Sequence, residues 1–324
     1  MSSAESHKNM TNKDLYISII IPCFNEEQVI SHTYERVHKT MQSFEHRGHE
    51  FIFINDGSRD KTLELLRGIA KNDTNVKILS FSRNFGHQPA VTAGVNACTG
   101  DVAIIIDADL QDPPELFPEM VKIHLEQNAN VVYGLRGERK GETFFKRISA
   151  KYFYKLINFL SDTPLPVDTG DFRLIDKHVI EAFKSLPEQN KYIRGLISWI
   201  GFKQVPIIYV REERFAGETK YPLSKMIKFA STSLLYFSKK PLKLALSLGL
   251  VSVLVGIGLA IWVITGLLYR PDSLVPGWAS TIIALIFFGG IQLLTIGVLG
   301  EYLGNMFEEI KNRPEYIVHE KINF

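Results

Sequence analysis

"DVAIIIDADLQDPPE", residues 101–115, decides the fold of this chain. Val102 to Ile106 is apolar without alternation, the pattern of a strand covered on both faces, as in parallel sheets flanked by helices. The run then stops against Asp107, Asp109 and Asp112, with Gln111 between them and two prolines beyond. Unpaired carboxylates are costly in a buried strand, so the strand is read to end here and its acidic end to face a positive charge.

Outward from this stretch the same signal repeats. "YISIIIP" (16–22), "EFIFIND" (50–56), "VKILSFS" (76–82) and "NVVYGLR" (130–136) are β-branched runs, and helical periodicity fills 26–44 and 61–71 between them. This β-α alternation predicts an α/β fold, a mostly parallel sheet with helices on both faces. Ligands of such sheets sit beyond the carboxyl ends of the strands. Those ends read "PCFNEE" (22–27), "NDGSRD" (55–60), "SRNFGH" (82–87) and "DADLQD" (107–112).

Beyond residue 136 the pattern loosens. Residues 144–160 read as an amphipathic helix, "VDTGDFRLID" (167–176) as a loop leading into a strand and helix, and "KQVPIIYVREER" (203–214) as a further strand. Residues 220–243 interleave lysines with apolar residues, a pattern for helices lying in a membrane interface. Leu244–Tyr269 and Ser273–Gly300 carry no charge at all, and each is long enough to cross a bilayer. Lys239, Lys240 and Lys243 precede this hairpin, and Lys311, Arg313 and Lys321 follow it, against only Arg270 and Asp272 at its tip. The positive-inside rule then puts both termini and the large N-terminal domain in the cytoplasm, with the chain a multi-pass protein of the inner membrane. No signal peptide is read in the polar N-terminus.

The expected organisation is a disordered tail over 1–14, an α/β domain over 15–219, juxtamembrane amphipathic helices over 220–242, a two-helix transmembrane hairpin over 243–301 and a cytoplasmic tail over 302–324. A net charge of +2 gives no sign of a nucleic-acid partner, and the two cysteines, Cys23 and Cys98, lack metal spacing. The nine histidines are scattered, with His87 read as a helix-start or pocket-wall residue. Neither Gly-rich nucleotide signature occurs, which counts against a dehydrogenase or a P-loop ATPase.

Asp107, Asp109 and Gln111 offer hard oxygen ligands within one turn, suited to Mg²⁺ or Mn²⁺ bridging a diphosphate. Asp112, before two prolines, is read as a helix cap. Asp56 ends the neighbouring strand, where it can accept from a nucleobase or ribose or else cap the helix starting near Asp60, and Gly57 permits a tight turn. Arg136, Arg139 and Arg147 are candidate cations for a leaving diphosphate. Asp168 or Asp171 is the candidate base, or else places the acceptor.

"SIIIPCFNEE", "FIFINDGSRDKT", "SRNFGHQPAVTAGVNACTGD" and "IIIDADLQDPPE" resemble, in order and spacing, the successive motifs of glycosyltransferase family two, which has the GT-A fold. "VVYGLRGERKGE", "VDTGDFRLIDK", "GETKYPLSKM" and the paired apolar spans resemble its polyprenyl-phosphate branch, which includes dolichyl-phosphate mannose synthase and the bactoprenol glucosyltransferases. The resemblance implies a nucleotide pocket of Pro22, Asn25, Glu26, Asp56 and Asp107 with Arg83 nearby, and a metal set of Asp107, Asp109 and Gln111. It implies inverting transfer of glucose from UDP-glucose to undecaprenyl phosphate, and a homo-oligomer, tetrameric in the family. Lys220, with Arg211 and Arg214, is the candidate holder of the lipid phosphate. Three alternatives are kept: a GDP-mannose-dependent mannosyltransferase, a processive polysaccharide synthase, which lacks its Q-x-x-R-W string here, and a membrane scaffold or flippase component with an inactive nucleotide domain.

Overall fold

The computed structural model describes residues 11–137, 169–189, 191–210, 240–269 and 277–324. They form two compact units. One holds the described residues up to 210 together with Arg313–Phe324, and the other holds two long helices.

The first unit is built on one sheet of eight strands: β1 Tyr16–Cys23, β2 Gly48–Asn55, β3 Val76–Phe81, β4 Val102–Ile105, β5 Val131–Arg136, β6 Thr169–Asp176, β7 Gln204–Tyr209 and β8 Val318–Ile322. Their order is β7-β5-β6-β4-β1-β2-β3-β8. β1 runs parallel to β2 and β4, β2 to β3, and β5 to β7. The mostly parallel sheet expected from the β-α alternation is therefore present, with two reversals. β6 lies antiparallel between β4 and β5, and β8 antiparallel beside β3.

The helices are α1 Ile30–Gln42, α2 Thr62–Asn72, α3 His87–Ala97, α4 Phe117–Gln127, α5 Lys177–Ser185 and α6 Ile193–Ile200. β1 is apolar on both faces because both are covered. Ile17, Ile19 and Ile21 join the main core with Phe51, Phe53, Phe117 and Phe172. Ile20 faces the other way, onto α3, where a Cβ on Gly94 would lie 2.2 Å from its Cγ2. Only glycine allows α3 to approach this closely. The chain order reverses between β1 and β4, the crevice where α/β sheets place their ligands. Antiparallel β6 contributes to the same end: Ile105 pairs with Arg173, so Asp171 lies opposite Asp107, just beyond the carboxyl end of β4.

The opposite end of the sheet is locked by Glu50. One carboxylate oxygen accepts from the Ser18 hydroxyl at 2.5 Å and from Thr99 N–H and Oγ1 at 2.8 and 2.9 Å; the other meets Lys77 Nζ at 2.7 Å. Burial raises the Glu50 pKa, but Lys77 and the hydroxyl and amide donors outweigh it and hold the group below its usual value.

In the second unit, α7 Lys240–Tyr269 and α8 Trp278–Ile310 pack against each other. Leu242–Leu259 and Ile283–Ile310 each have a mean hydropathy of 2.2 and almost no burial, so these are two helices long and apolar enough to cross a membrane. α8 runs ten residues beyond the uncharged stretch that ends at Gly300. The expected amphipathic helices over 144–160 and 220–243 lie, except for the start of α7, outside the described residues. The C-terminal segment, expected as a tail, instead supplies β8. "VHEKI" is short and carries two charges in five residues, as edge strands commonly do, and gives little signal in sequence.

Glu50→Gln is expected to remove about 2 kcal/mol, because Lys77 then faces a neutral amide, and so to lower the melting temperature at pH 7 by roughly 4–8 °C. A depressed folded pKa contributes stability that is present above the unfolded value, about 4.3, and is lost as pH falls through the folded one. The gap between wild type and variant is therefore expected to close on acidification below about pH 4, which thermal melts of the solubilised protein across pH would measure.

Candidate active site

The loops after β1 and β2 are zipped together. Asn25, at φ +55°, accepts the Arg59 N–H with its Oδ1 at 2.8 Å and donates its own N–H to Ser58 Oγ at 3.0 Å. Glu26 N–H donates to Thr62 Oγ1, Glu27 N–H to Asp60, and Lys61 N–H back to Glu27. Pro22 is buried in β1 opposite Ile54. Asp60, not Asp56, serves the start of α2, accepting from Thr62 N–H and Oγ1 at 3.0 and 2.6 Å.

Asp56 instead turns toward the third strand end. Its two oxygens accept the N–H groups of Phe85 at 2.6 Å and Gly86 at 2.9 Å, fixing the loop that leads into α3. Burial raises its pKa despite these bonds. Gly57 has φ +65°, and a Cβ there would lie 2.4 Å from the Arg83 carbonyl carbon. The tight turn read at Gly57 thus brings the backbone against the neighbouring loop. Arg83 itself lies exposed, its guanidinium 4.0 Å from the Phe85 ring centroid.

β4 ends at Ile105, two residues before the acidic turn. Leu110 takes φ +58°, a left-handed conformation that costs a branched residue on the order of 1–2 kcal/mol. The turn is closed by the Gln111 N–H donating to Asp109 Oδ1 at 3.2 Å. Asp107 Oδ1 is buried and accepts no hydrogen bond from the described residues, facing His87 Nε2 at 3.6 Å. Burial pushes the Asp107 carboxyl up to about 6; His87 opposes the shift, while Asp171, Asp112 and Asp109 add to it.

Asp112 is not a helix cap. It is fully buried and accepts the hydroxyl of Tyr209 from β7, while the prolines after it open a short 3-10 turn over Pro114–Leu116. Burial, Asp112 and the bond to it all hold that phenol above its usual pKa. Arg136, at the end of β5, is the strand partner of Tyr209 and lies against Gly170, where a Cβ would meet its guanidinium at 2.9 Å.

Asp171 is the centre of the site. Arg194 from α6 clamps it with two donors, Nε to Oδ1 at 2.7 Å and Nη2 to Oδ2 at 3.1 Å. His87 Nε2 donates to Oδ2 at 3.0 Å, and Gln88 Nε2 lies 3.4 Å from the same oxygen. Gln88 Oε1 in turn accepts the Ile193 N–H at 2.9 Å, which orients α6. Burial alone would raise the Asp171 pKa; Arg194 and His87 hold it well below the carboxylate range. Burial alone would lower that of His87; Asp107 and Asp171 carry it upward, so the ring is a cation between two carboxylates. Asp171 is thus a weak base in this arrangement.

Sequence reasoning missed Gln88, Arg194 and Tyr209 and weighed His87 as a helix-start or pocket-wall residue; it is the first residue of α3 but also an ion-pair partner of Asp171. The one available signal was Arg194 itself, the sole charge in the apolar run "IRGLISWI". Arg139, Arg147, Asp168, Arg211, Arg214 and Lys220 lie outside the described residues.

The donor set suits a hard divalent ion. Asp107 presents an unpartnered buried oxygen, and Asp109 and Gln111 follow in the same turn. Among the described residues no three His, Cys, Asp or Glu side chains form a cage of their own. That fits an ion held by one or two carboxylates and completed by a ligand's phosphates.

An α/β sheet with an acidic turn at its switch point, flanked by polar strand-end loops, is an arrangement for binding a phosphorylated ligand with a divalent ion. The glycosyl transferase family 2 profile matches residues 18–183, and the chain belongs to this family. It is a glycosyltransferase. It is 47% identical to the uncharacterized glycosyltransferase YkcC of Bacillus subtilis over 95% of each chain. It is 40% identical to the prophage bactoprenol glucosyl transferase homolog of Escherichia coli, covering 93% of this chain and 98% of that one. It is 39% identical to the SfII prophage-derived bactoprenol glucosyl transferase of Shigella flexneri, over 93% and 97%. Among solved structures it is similar to the Pyrobaculum calidifontis mannosyltransferase PcManGT in complex with GDP-Man and Mn²⁺, at 16% identity and a TM-score of 0.46, covering 90% and 87%.

Asp171→Asn leaves Arg194 and His87 facing a neutral amide, and sugar transfer is expected to fall at least tenfold, about 1.4 kcal/mol, with a lower melting temperature. Arg194→Lys keeps the charge but not the two-pronged contact and is expected to lie between. Equal losses in the two variants, read as kcat/KM, would assign the effect to the two-pronged contact, and a wild-type Arg194→Lys would assign it to charge alone.

Proposed function

We propose that the protein transfers glucose, with inversion, from UDP-glucose to undecaprenyl phosphate at the cytoplasmic face of the inner membrane. One observation carries this reading: the likeness to bactoprenol glucosyl transferases runs through nearly the whole chain, the two apolar helices included. A soluble acceptor would give no reason for those helices. In this reading residues 15–219 are catalytic and 243–301 anchor the chain beside its lipid substrate.

The nucleotide is proposed to lie over the zipped loops, with Pro22, Asn25, Glu26 and Asp56 lining the base and ribose pocket and Arg83 at its mouth. Asp107, Asp109 and Gln111 would hold Mg²⁺ or Mn²⁺, which supplies Lewis-acid neutralisation of the diphosphate when bound. Arg136, beside Tyr209 on the neighbouring strand, supplies fixed positive charge on the leaving-group side. A lipid monophosphate is already largely dianionic at neutral pH, its second pKa being about 6, so no strong base is required of the protein. The clamped, weakly basic Asp171 suits that chemistry: it fixes His87 and α6 and so orients the acceptor. Arg211, Arg214 and Lys220 are the proposed holders of the acceptor phosphate, with Asp168 and Arg147 as further candidates in the transfer. A homo-oligomer is proposed on family resemblance alone.

Membranes containing the protein, given undecaprenyl phosphate and a panel of radiolabelled nucleotide sugars, are expected to move label into lipid from UDP-glucose. Label from GDP-mannose alone would overturn the donor, and label from none would overturn the function. Excess chelator and Asp109→Ala are each expected to reduce incorporation at least a hundredfold, about 2.7 kcal/mol, and undiminished activity in either would refute the metal assignment.

A further inference from the structure

The C-terminal segment after α8 touches both arms of the site. Tyr316 stacks on Phe81 with ring centroids 5.0 Å apart and planes 12° from parallel, and its hydroxyl accepts from Asn96 Nδ2 of α3 at 3.2 Å. Phe81 meets Phe85 edge-on at 5.8 Å. Phe85 carries the Arg83 guanidinium and donates its N–H to Asp56. The next carbonyl along, that of Ile317, accepts the Ser82 N–H at 3.0 Å. One residue before Tyr316, Glu315 Oε1 accepts the Lys191 N–H at 3.1 Å, three residues before the Arg194 that clamps Asp171.

The remainder of the segment is anchored away from the site. Glu320 pairs with Arg67, and Asn323 Nδ2 donates to the carbonyls of Ala70 and Val76 at 2.9 and 2.8 Å. β8 would cover the β3 edge with these contacts alone. The stacked ring of Tyr316 lies beyond β8, at the end of β3 nearest the site. Its neighbours are Phe81, the last residue of β3 before the loop that Asp56 holds, and Asn96 of α3.

We propose that Tyr316 is a positioning residue for the nucleotide donor, holding the 82–87 loop through Phe81 and Phe85, and that the C-terminal segment is thereby part of the catalytic site. The inference rests on the chain being a nucleotide-sugar transferase. A loop that is only partly in its binding conformation weakens apparent affinity by that fraction and leaves the chemical step of the bound complex unchanged. Loss of Tyr316 therefore acts on KM and not on kcat.

The test uses the full chain in membranes or detergent. Tyr316→Ala is expected to raise the KM for UDP-glucose and the Kd for UDP at least fivefold, to leave kcat within twofold, and to speed hydrogen exchange at Phe85 and Gly86. Tyr316→Phe keeps the stack and is expected to stay within twofold of wild type on all of these. Asn323→Ala loosens the same strand far from the loop and is expected to leave KM unchanged. Should Tyr316→Ala not accumulate, Tyr316→Leu, which keeps apolar cover without a ring, is read in the same way. A wild-type KM in the ring-less variant, or an equal rise in Asn323→Ala at equal loss of melting temperature, overturns the proposal. A wild-type protein that transfers no sugar overturns the proposed activity instead, and UDP binding and hydrogen exchange then still report on Tyr316.

Discussion

The site is organised around one buried charge. Asp171 sits almost wholly out of water, and an isolated carboxylate there would be untenable. Its compensation comes from three directions: Arg194 on α6, His87 at the first residue of α3, and Gln88 beside it, which also bonds the backbone of α6. Two helices and two strand ends therefore share one set of positions. Arg173, two residues along the same strand, is buried as well and donates to the Gly170 carbonyl, so the start of β6 is held from both sides.

This clamp also bears on the acidic turn. His87 is drawn to Asp171 by a hydrogen bond and to Asp107 by charge, which leaves Asp107 with a cation nearby but an oxygen unbonded. Several carboxylates crowd the same space and raise the pKa of Asp107. A strained Leu110 holds the next two donors in register with it. Structure is being spent here to keep negative charge together, an arrangement that a bound divalent ion and diphosphate would complete.

Much of this was legible in the sequence because it depends on short-range pattern. Seven of the eight strands, the helices after the first two and after β6, and the strand-end position of the acidic turn all follow from apolar runs and their polar endings. What could not be read depends on register. Asp112 and Tyr209 are 97 residues apart, and nothing local joins them. Asp56 looked like a ligand or a cap, since only the folded sheet shows the Phe85 and Gly86 amides reaching it. Arg194 becomes a site residue because β6 runs antiparallel, a direction that no residue within β6 announces. β8 escaped notice for a similar reason: its pairing with β3 lies across both apolar helices.

That last pairing constrains topology more firmly than the lysine pattern does. β1 to β7 precede α7 in the chain and β8 follows α8, yet all eight strands belong to one sheet. Backbone hydrogen bonds between β3 and β8 require both strands to be on the same side of any bilayer. A chain that left the sheet, crossed once and stayed across could not return to form them. If one of the two helices spans, the other must span in the opposite direction. The counting of flanking charges, which by itself reports only a bias, then has to decide just one thing: on which side the sheet stands.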